Sequence, residues 1–174
     1  MYVSIETKVE AEVLTEGSIV IDSKIFSEII RKLPNSDVKI EIAENDLVQI
    51  TCEKSVFNVV YMNATDYPAL PSINEDLNVE VPQNLLKNMI KGTSFAIALD
   101  EARPILQGIL FEVKNKELNL VALDGYRLAV RSELLDVDDN IEVVIPGKTL
   151  NEVSKILEDN ADIVKITFTN NHIL

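Results

Sequence analysis

Three stretches of the chain share one pattern of apolar and polar positions. Each has a strand with alternating apolar residues, a break that carries Asp, Pro or Gly, and apolar residues at helical spacing. They are "IVIDSKIFSEIIRKL" at 19–33, "VEVPQNLLKNMI" at 79–90 and "VVIPGKTLNEVSKIL" at 143–157. The first and third align without a gap, and the three units begin 60 and then 64 residues apart. The pattern predicts helices at 23–33, 82–92 and 146–158.

The segments that follow the first two helices also repeat. Residues 38–62 and 108–132 each read as three alternating strands joined by polar turns. Each repeat is therefore a strand, a helix and a three-stranded meander, written βαβββ. A self-similar period near 60 residues favours a true repeat over unrelated helix and hairpin signals that coincide. The predicted fold class is α+β, with helices on one face of antiparallel sheets.

Both ends of the chain fit the repeat only in part. Residues 2–13 have a strand pattern with no helix before it, and residues 161–174 supply two strands of a third meander. We therefore expect unpaired strand edges at both ends, and a fragment of a longer repetitive protein.

The segment "NATDYPALPSINEDLN" at 63–78 is predicted to link two domains, which we place at 1–74 and 75–174. Pro68 favours an extended conformation at Tyr67, so the segment is not expected to be helical.

Each predicted helix has one apolar face and one cationic face. The apolar positions, expected to be buried, are Ile25, Phe26, Ile29, Ile30 and Leu33, then Leu85, Leu86, Met89 and Ile90, then Leu150, Val153 and Leu157. The basic positions, expected to be exposed, are Lys24, Arg31, Lys32, Lys87, Lys91, Lys148 and Lys155. Asn84 and Asn88 are expected beside the two lysines of the second helix.

The distribution of charge changes what the net charge implies. The chain carries 16 basic and 29 acidic residues for a net charge of −13, which alone argues against nucleic acid. The predicted helices hold seven of the basic residues and three acidic ones, Glu28, Glu152 and Glu158. Positive helices in an acidic chain can contact a phosphate backbone weakly, with strong salt dependence and without reading bases.

No catalytic or cofactor motif is present. His172 has no paired Ser or Cys nucleophile, and no nucleotide-binding or metal-ligand spacing occurs. The acidic segment 133–140 is predicted to be a solvated loop rather than a weak calcium site. Cys52, the one cysteine, is expected to be a small strand residue. We therefore expect neither a cofactor nor a metal.

Cellular location follows from what the sequence lacks. No apolar run is long enough to span a bilayer, and the N-terminus has no signal-peptide character. A single cysteine is typical of a reducing compartment. We expect a soluble, cytoplasmic protein with no membrane partner.

Four motifs occur in one characteristic order. They are "TDYPALP" at 65–71, "ARPILQGILFEV" at 102–113, "LNLVALDGYRLAV" at 118–130 and "VVIPGKTLNEV" at 143–153. In order and spacing they resemble the bacterial sliding clamp family, the beta subunit of DNA polymerase III. The resemblance implies the DNA-clamp fold, in which each domain is a pair of βαβββ units. Residues 1–74 match the C-terminal half of a first domain, and residues 75–174 match a second domain without its closing strand.

The resemblance also implies a function. In this family three domains per subunit, and two subunits head to tail, form a ring whose helices face duplex DNA. The ring is a non-catalytic processivity factor that needs no cofactor and binds double-stranded DNA without sequence specificity. It docks the polymerase catalytic subunit, the clamp loader and repair polymerases through short peptide motifs.

Asp124-Gly125 predicts a hairpin turn, and the resemblance places half of a peptide-binding pocket around it. The matching residues are Arg103, Leu106, Leu123, Gly125, Tyr126, Arg127 and Leu128. Leu123 stands where some members have Thr, and Tyr126 where some have His, so the peptide preference is open. Without the resemblance, the three leucines would be interpreted as ordinary core residues.

Two other hypotheses remain from the residues alone. One is a structural or interaction repeat protein that does not bind DNA. The other is a small-molecule enzyme on an α+β fold, which would need a pocket lined by convergent ionisable groups.

Overall fold

The computed structural model describes residues 3–68, 77–100, 102–169 and 172–174. The chain divides into two units, one comprising Ser4–Pro71 and the other containing Ser72–Leu174. Both are built from antiparallel strands and helices, as the α+β prediction requires. The predicted boundary at 74/75 lies outside the described residues. Within the described part of the chain, no helix is long and apolar enough to cross a membrane.

The N-terminal unit, Ser4–Pro71, is a four-stranded sheet with one α-helix. Its elements are β1 Ile19–Ile21, α1 Ser23–Lys32, β2 Lys39–Ile42, β3 Leu47–Cys52 and β4 Ser55–Asn63, with the sheet order β1-β4-β3-β2. Alternate residues of a strand share a face, and Val48, Ile50 and Cys52 of β3 are fully buried on the face that forms the core. Cys52 is therefore the small strand residue that the sequence predicts.

The C-terminal unit, Ser72–Leu174, contains two of the repeats. Its elements are β5 Leu77–Pro82, α2 Gln83–Ser94, a 3-10 helix Pro104–Gln107, β6 Gly108–Lys114, β7 Glu117–Leu123, β8 Leu128–Leu134, β9 Ile141–Pro146, α3 Gly147–Ile156 and β10 Ile163–Phe168. The strands form one sheet of order β8-β7-β6-β9 and one pair, β10-β5. All three predicted helices and both meanders are confirmed, with helix ends shifted by one or two residues.

The two repeats of the C-terminal unit exchange their first strands. β9, the first strand of the second repeat, pairs with β6 of the first repeat. In return, β5 of the first repeat pairs with β10 of the second. Neither repeat can complete its sheet without the other. In the N-terminal unit, by contrast, β1 pairs with β4 of its own repeat.

One hydrophobic core unites the C-terminal unit. α2 packs against β7 and β8, while α3 packs against β6, β9 and α2, so the two helices lie side by side on one face of the sheet. The buried helical residues are Leu86, Met89, Ile90 and Thr93 of α2 and Gly147 and Leu150 of α3. Phe111 of β6 and Phe168 of β10 bring the sheet and the strand pair together, with ring centroids 5.2 Å apart.

The predicted strand at 2–13 is wrong over the residues described. Residues 3–13 form no strand, and Val3, Ile5 and Val9 are exposed. An alternating pattern becomes a strand only where a neighbouring edge supplies hydrogen-bond partners. None of the described strands pairs with this segment.

In the C-terminal segment, the described residues form one strand, whereas the sequence predicts two. β10 is followed by an isolated bridge between Phe168 and Ile173. Thr167 and Leu174 exchange both backbone hydrogen bonds, at 2.7 and 2.9 Å. Residues 172–174 thus begin antiparallel pairing with β10, but a single bridge is too short to be a strand.

The apolar face of α1 is narrower than predicted. Phe26, Ile29 and Leu33 pack on the core of the N-terminal unit. Ile25 and Ile30 are 48% and 39% exposed, which contradicts their predicted burial. The spacing i, i+3, i+7 directs the first three residues at the sheet. Ile25 and Ile30 flank that stripe, and no second α-helix covers them in the described part of this unit.

The prediction for the segment 63–78 is partly wrong. Tyr67 is extended, with φ −79° and ψ 131°, as the following proline requires. However, Ala64–Asp66 forms a short 3-10 helix that begins at Asn63, whose side chain accepts a hydrogen bond from the Thr65 amide at 3.1 Å. Proline restricts the residue before it and leaves a turn further upstream free to form. Residues 69–76 lie outside the described ranges.

Candidate functional site

Three cationic side chains lie on α1. Lys24, Arg31 and Lys32 are exposed, as predicted. The helix begins after Asp22, whose carboxylate accepts a hydrogen bond from the Ile25 amide at 2.9 Å. Arg31 and Lys32 occupy the last turn, where the helix dipole favours positive charge.

The prediction that Lys87 is exposed is wrong. Its side chain is only 14% exposed, and its Nζ lies 3.3 Å from Oδ2 of Asp159. Asp159 follows α3, so this ion pair joins the two helical repeats. The positive charge of Lys87 is balanced locally and is poorly placed to meet an external anion.

The cause is a loop that covers the N-terminus of α2. The amides of Gln83 and Asn84 donate to the carbonyls of Asp162 and Asn160, both at 2.9 Å. The Gln83 side-chain oxygen accepts a hydrogen bond from the Glu158 amide at 2.8 Å. This loop satisfies amides that a helix start leaves free, and it half-buries Asn84, which was predicted to be exposed. Helical spacing alone gives no sign of it.

The remaining cations of α2 and α3 are placed as predicted. Lys91, Lys148 and Lys155 are exposed. Lys155 pairs with Glu152 at 2.6 Å, but both side chains are more than half exposed, so solvent screens the pair. Because α3 ends at Ile156, Glu158 lies outside it. The three α-helices of the described residues hold seven basic and two acidic side chains, so they are more positive than predicted.

The predicted hairpin forms, with a loop of four residues. β7 ends at Leu123 and β8 begins at Leu128, and the two leucines are register partners. The Asp124 amide donates to the Arg127 carbonyl at 3.2 Å. Gly125 has φ +94°, a backbone conformation that residues other than glycine rarely adopt.

The Asp124 carboxylate organises this loop. Its Oδ1 accepts hydrogen bonds from the amides of Arg127 and Tyr126, at 2.8 and 2.9 Å. Its Oδ2 accepts from Nη2 and Nε of Arg127, at 2.8 and 3.0 Å. The two amides, together with the Arg127 side chain, lower the pKa of Asp124 to about 2. Arg127 is thereby fixed against the loop.

Arg103 lies against the same loop. A Cβ atom on Gly125 would be 3.2 Å from Nη2 of Arg103 and 3.5 Å from its Nη1. The structure therefore brings Arg103, Gly125 and Arg127 together at one loop, and their role in a peptide-binding pocket stays a prediction. Leu106 is half-buried in the 3-10 helix that precedes β6, where its carbonyl accepts from the Ala98 amide at 2.9 Å.

The leucines at the hairpin are not core residues. Leu123 and Leu128 are 38% and 66% exposed, which contradicts the alternative that they are ordinary core. Tyr126 is 97% exposed and extends from the loop into solvent. Leu123 and Leu128 thus form a small exposed apolar patch, which we call the apolar step, beside Arg103 and Arg127.

Sequence reasoning missed an apolar row beside this step. Val144, Leu110, Val121 and Val130 are successive register partners across β9, β6, β7 and β8, on the face that the helices do not cover. Val130 is half-exposed and Val144 is nearly as accessible. The signal was available: the four strands contain the uninterrupted apolar runs "ILF", "LVAL", "LAV" and "VVI", whereas a solvated outer face is polar at alternate positions.

The acidic segment 133–140 is partly strand and partly ion-paired loop. Glu133 belongs to β8, whereas Asp136 and Asp138 approach the Lys116 ammonium at 3.0 and 3.5 Å. The hydrogen bond that Lys116 donates to the Asp136 carboxylate, together with the negative charges of Asp136 and Asp138, raises the pKa of Lys116. Within the described residues, no group of three or more His, Cys, Asp or Glu is arranged to hold a metal ion.

Comparison with known proteins identifies the family. Residues 1–71 match the N-terminal domain of the DNA polymerase III beta subunit, and residues 80–174 match its central domain. The beta sliding clamp of Bacillus subtilis is 44% identical over 160 residues, which cover 91% of this chain and 42% of that protein. The chain spans less than half the length of the curated relatives that it matches.

Solved structures of sliding clamps also match this chain. The DNA polymerase sliding clamp from Bacillus subtilis has a TM-score of 0.88 at 41% identity, covering 96% of this chain and 45% of that one. A sliding clamp from Pseudomonas aeruginosa bound to griselimycin has a TM-score of 0.82 at 32% identity, covering 90% and 43%. With the repeated units and cationic helices described above, these matches establish that the chain belongs to the DNA polymerase III beta subunit family, the bacterial sliding clamps.

Proposed function

We propose that this chain is a segment of a replicative sliding clamp, a non-catalytic ring that keeps a DNA polymerase on its template. The observation that supports the proposal most is the placement of charge. Three related helices carry exposed Lys and Arg in a chain whose net charge is −13. Contacts from such side chains to phosphates hold DNA without reading its sequence, which a sliding protein requires.

The residues proposed to face DNA are the basic side chains of the α-helices that are exposed to solvent. On α1 they are Lys24, Arg31 and Lys32. On α2 and α3 they are Lys91, Lys148 and Lys155, and Lys87 is left out because Asp159 pairs with it.

The whole protein is proposed to be a head-to-tail homodimer with three domains per subunit. In that ring, residues 1–74 supply the second half of domain 1, and residues 75–174 supply domain 2. Its cellular location is the cytoplasm, where bacterial DNA is replicated.

The second proposed activity is the docking of short peptides from the polymerase, the clamp loader and repair polymerases. The two hairpin leucines and the adjoining apolar row offer a surface for apolar anchor residues. Arg103 lies at its edge and suits a polar or acidic flank of the peptide, whereas the Arg127 guanidinium is held by Asp124. The pocket is proposed to be completed by a third domain, so the chain alone should bind peptides much more weakly than a whole clamp.

A hybrid clamp tests the proposal. Residues 1–174 replace the aligned segment of the Bacillus subtilis clamp, and primer extension on long single-stranded DNA is measured with the matching polymerase and clamp loader. We expect product lengths well above those without a clamp. A hybrid that forms a stable dimer yet leaves product lengths unchanged would contradict the proposal.

The alternative, a structural repeat protein without DNA binding, is tested by charge reversal. Lys91→Glu, Lys148→Glu and Lys155→Glu are introduced together into the hybrid. Unchanged loading and sliding would favour the alternative, because like charges repel phosphates.

A further inference from the structure

An arginine on β8 occupies a position that faces the helices. Arg131 is the register partner of Leu120, which is fully buried, and Ala129, two residues earlier, is also buried. Alternation along a strand places Arg131 on the same face as Ala129. Its side chain is nevertheless exposed, so it must leave the core along the surface of a neighbouring element.

That element is α2. A Cβ atom on Gly92 would lie 3.1 Å from Cγ and Nε of Arg131 and 3.2 Å from its Cδ. The side chain of the arginine, from Cγ to Nε, therefore lies against the helix backbone at Gly92, while the residue as a whole remains exposed. Any larger residue at position 92 would displace this stem.

The contact gives the last turn of α2 a second positive charge. Gly92 directly follows Lys91, so Lys91 and Arg131 share the C-terminal end of α2, where the helix dipole favours cations. Among the described residues, no carboxylate lies within ion-pair distance of Arg131. Lys87, one turn earlier, is by contrast paired with Asp159.

We propose that Arg131 extends the cationic surface of α2 onto the sheet edge and contacts a phosphate of duplex DNA. This inference rests on the proposed function, in which the surface faces DNA. β8 is the edge strand of its sheet, and an inward-directed charge at an edge can instead serve to prevent edge-to-edge pairing. The two roles predict different consequences when the charge is removed.

The test is an NMR titration of the 15N-labelled 174-residue chain with a 12-base-pair duplex of mixed sequence at low salt. We expect the Arg131 Nε–H signal and the amides around Gly92 to shift, and added salt to reverse the shifts. Arg131→Ala should weaken binding about 3- to 10-fold and reduce the salt slope by about one. Lys114→Ala is the matched control, because Lys114 is exposed on the opposite face of the sheet.

Two results would overturn the inference alone. One is shifts at Lys91 and Lys148 without a shift at Arg131. The other is Arg131→Ala binding like Lys114→Ala while gel filtration shows new self-association, which would assign Arg131 to edge protection. The absence of DNA-induced shifts on all three helices would count against the DNA-facing surface itself, and therefore against the proposed function as well.

Discussion

At the scale of single residues, Asp124 determines the geometry of the hairpin site. One carboxylate accepts two amide hydrogen bonds and holds the guanidinium of Arg127. Leu123 and Leu128 are therefore presented at fixed positions on either side of the loop. Asp-Gly reads from the sequence as a turn, but the four-residue loop depends on hydrogen bonds that propensity does not describe.

The lowered pKa of Asp124 predicts an acid-sensitive contribution to stability. Its folded pKa is about 2, below the ordinary value of about 3.9, so the contribution is complete above about pH 4 and is lost as the pH falls towards 2. Asp124→Asn should lower the free energy of unfolding at pH 6, and the difference from wild type should shrink between pH 4 and pH 2. Urea titrations measure it, and a pH-independent difference would be inconsistent with the loop geometry.

Lys87 and Lys91 provide a second comparison, since they lie one turn apart on α2. Lys87→Met combined with Asp159→Asn keeps the buried stem and removes the ion pair without changing the net charge. It should change duplex affinity less than about twofold, whereas Lys91→Met should reduce the salt slope by about one. The same NMR titration measures both variants. If the Lys87 and Lys91 variants lost the same affinity, the ion pair with Asp159 would not prevent Lys87 from contacting DNA.

At the scale of elements, helix positions were predictable and helix surroundings were not. A 3.6-residue period locates α1, α2 and α3 because it reflects burial of one face. It does not report whether a second helix lies alongside, and so the predicted burial of Ile25 and Ile30 is wrong. The sequence also does not show that β5 and β9 each pair with a strand of the other repeat, because periodicity identifies a strand but not its partner.

Neighbouring residues on α1 test its packing. Phe26→Ala removes a side chain that packs on Val48, Ile50 and Val59, and should lower the free energy of unfolding by about 2–4 kcal/mol. Ile25→Ala, at a residue that is 48% exposed, should cost less than about 1 kcal/mol. Denaturant unfolding of the two variants measures the difference. Similar decreases in the free energy of unfolding for the two variants would contradict the exposed position of Ile25.

At the scale of the whole molecule, charge and repetition together point to a clamp. The net charge of −13 conceals three α-helices, in the described part of the chain, with seven basic and two acidic side chains. This polarity could be read from the sequence because it requires only helix boundaries and composition. The exact set of residues on the cationic surface could not be read from the sequence. Lys87 is paired with Asp159 of a neighbouring loop, and Arg131, on a strand, lies against α2.

The most direct test asks whether a hybrid clamp that contains this chain encircles DNA. The hybrid clamp with residues 1–174 is loaded onto nicked circular DNA, and the complex is passed through a gel-filtration column before and after linearisation. A ring held by topology should co-elute with the circular DNA at high salt and be lost when the DNA is cut. A folded, dimeric hybrid that is never retained on the circle, or that stays equally on linear DNA, would contradict the account.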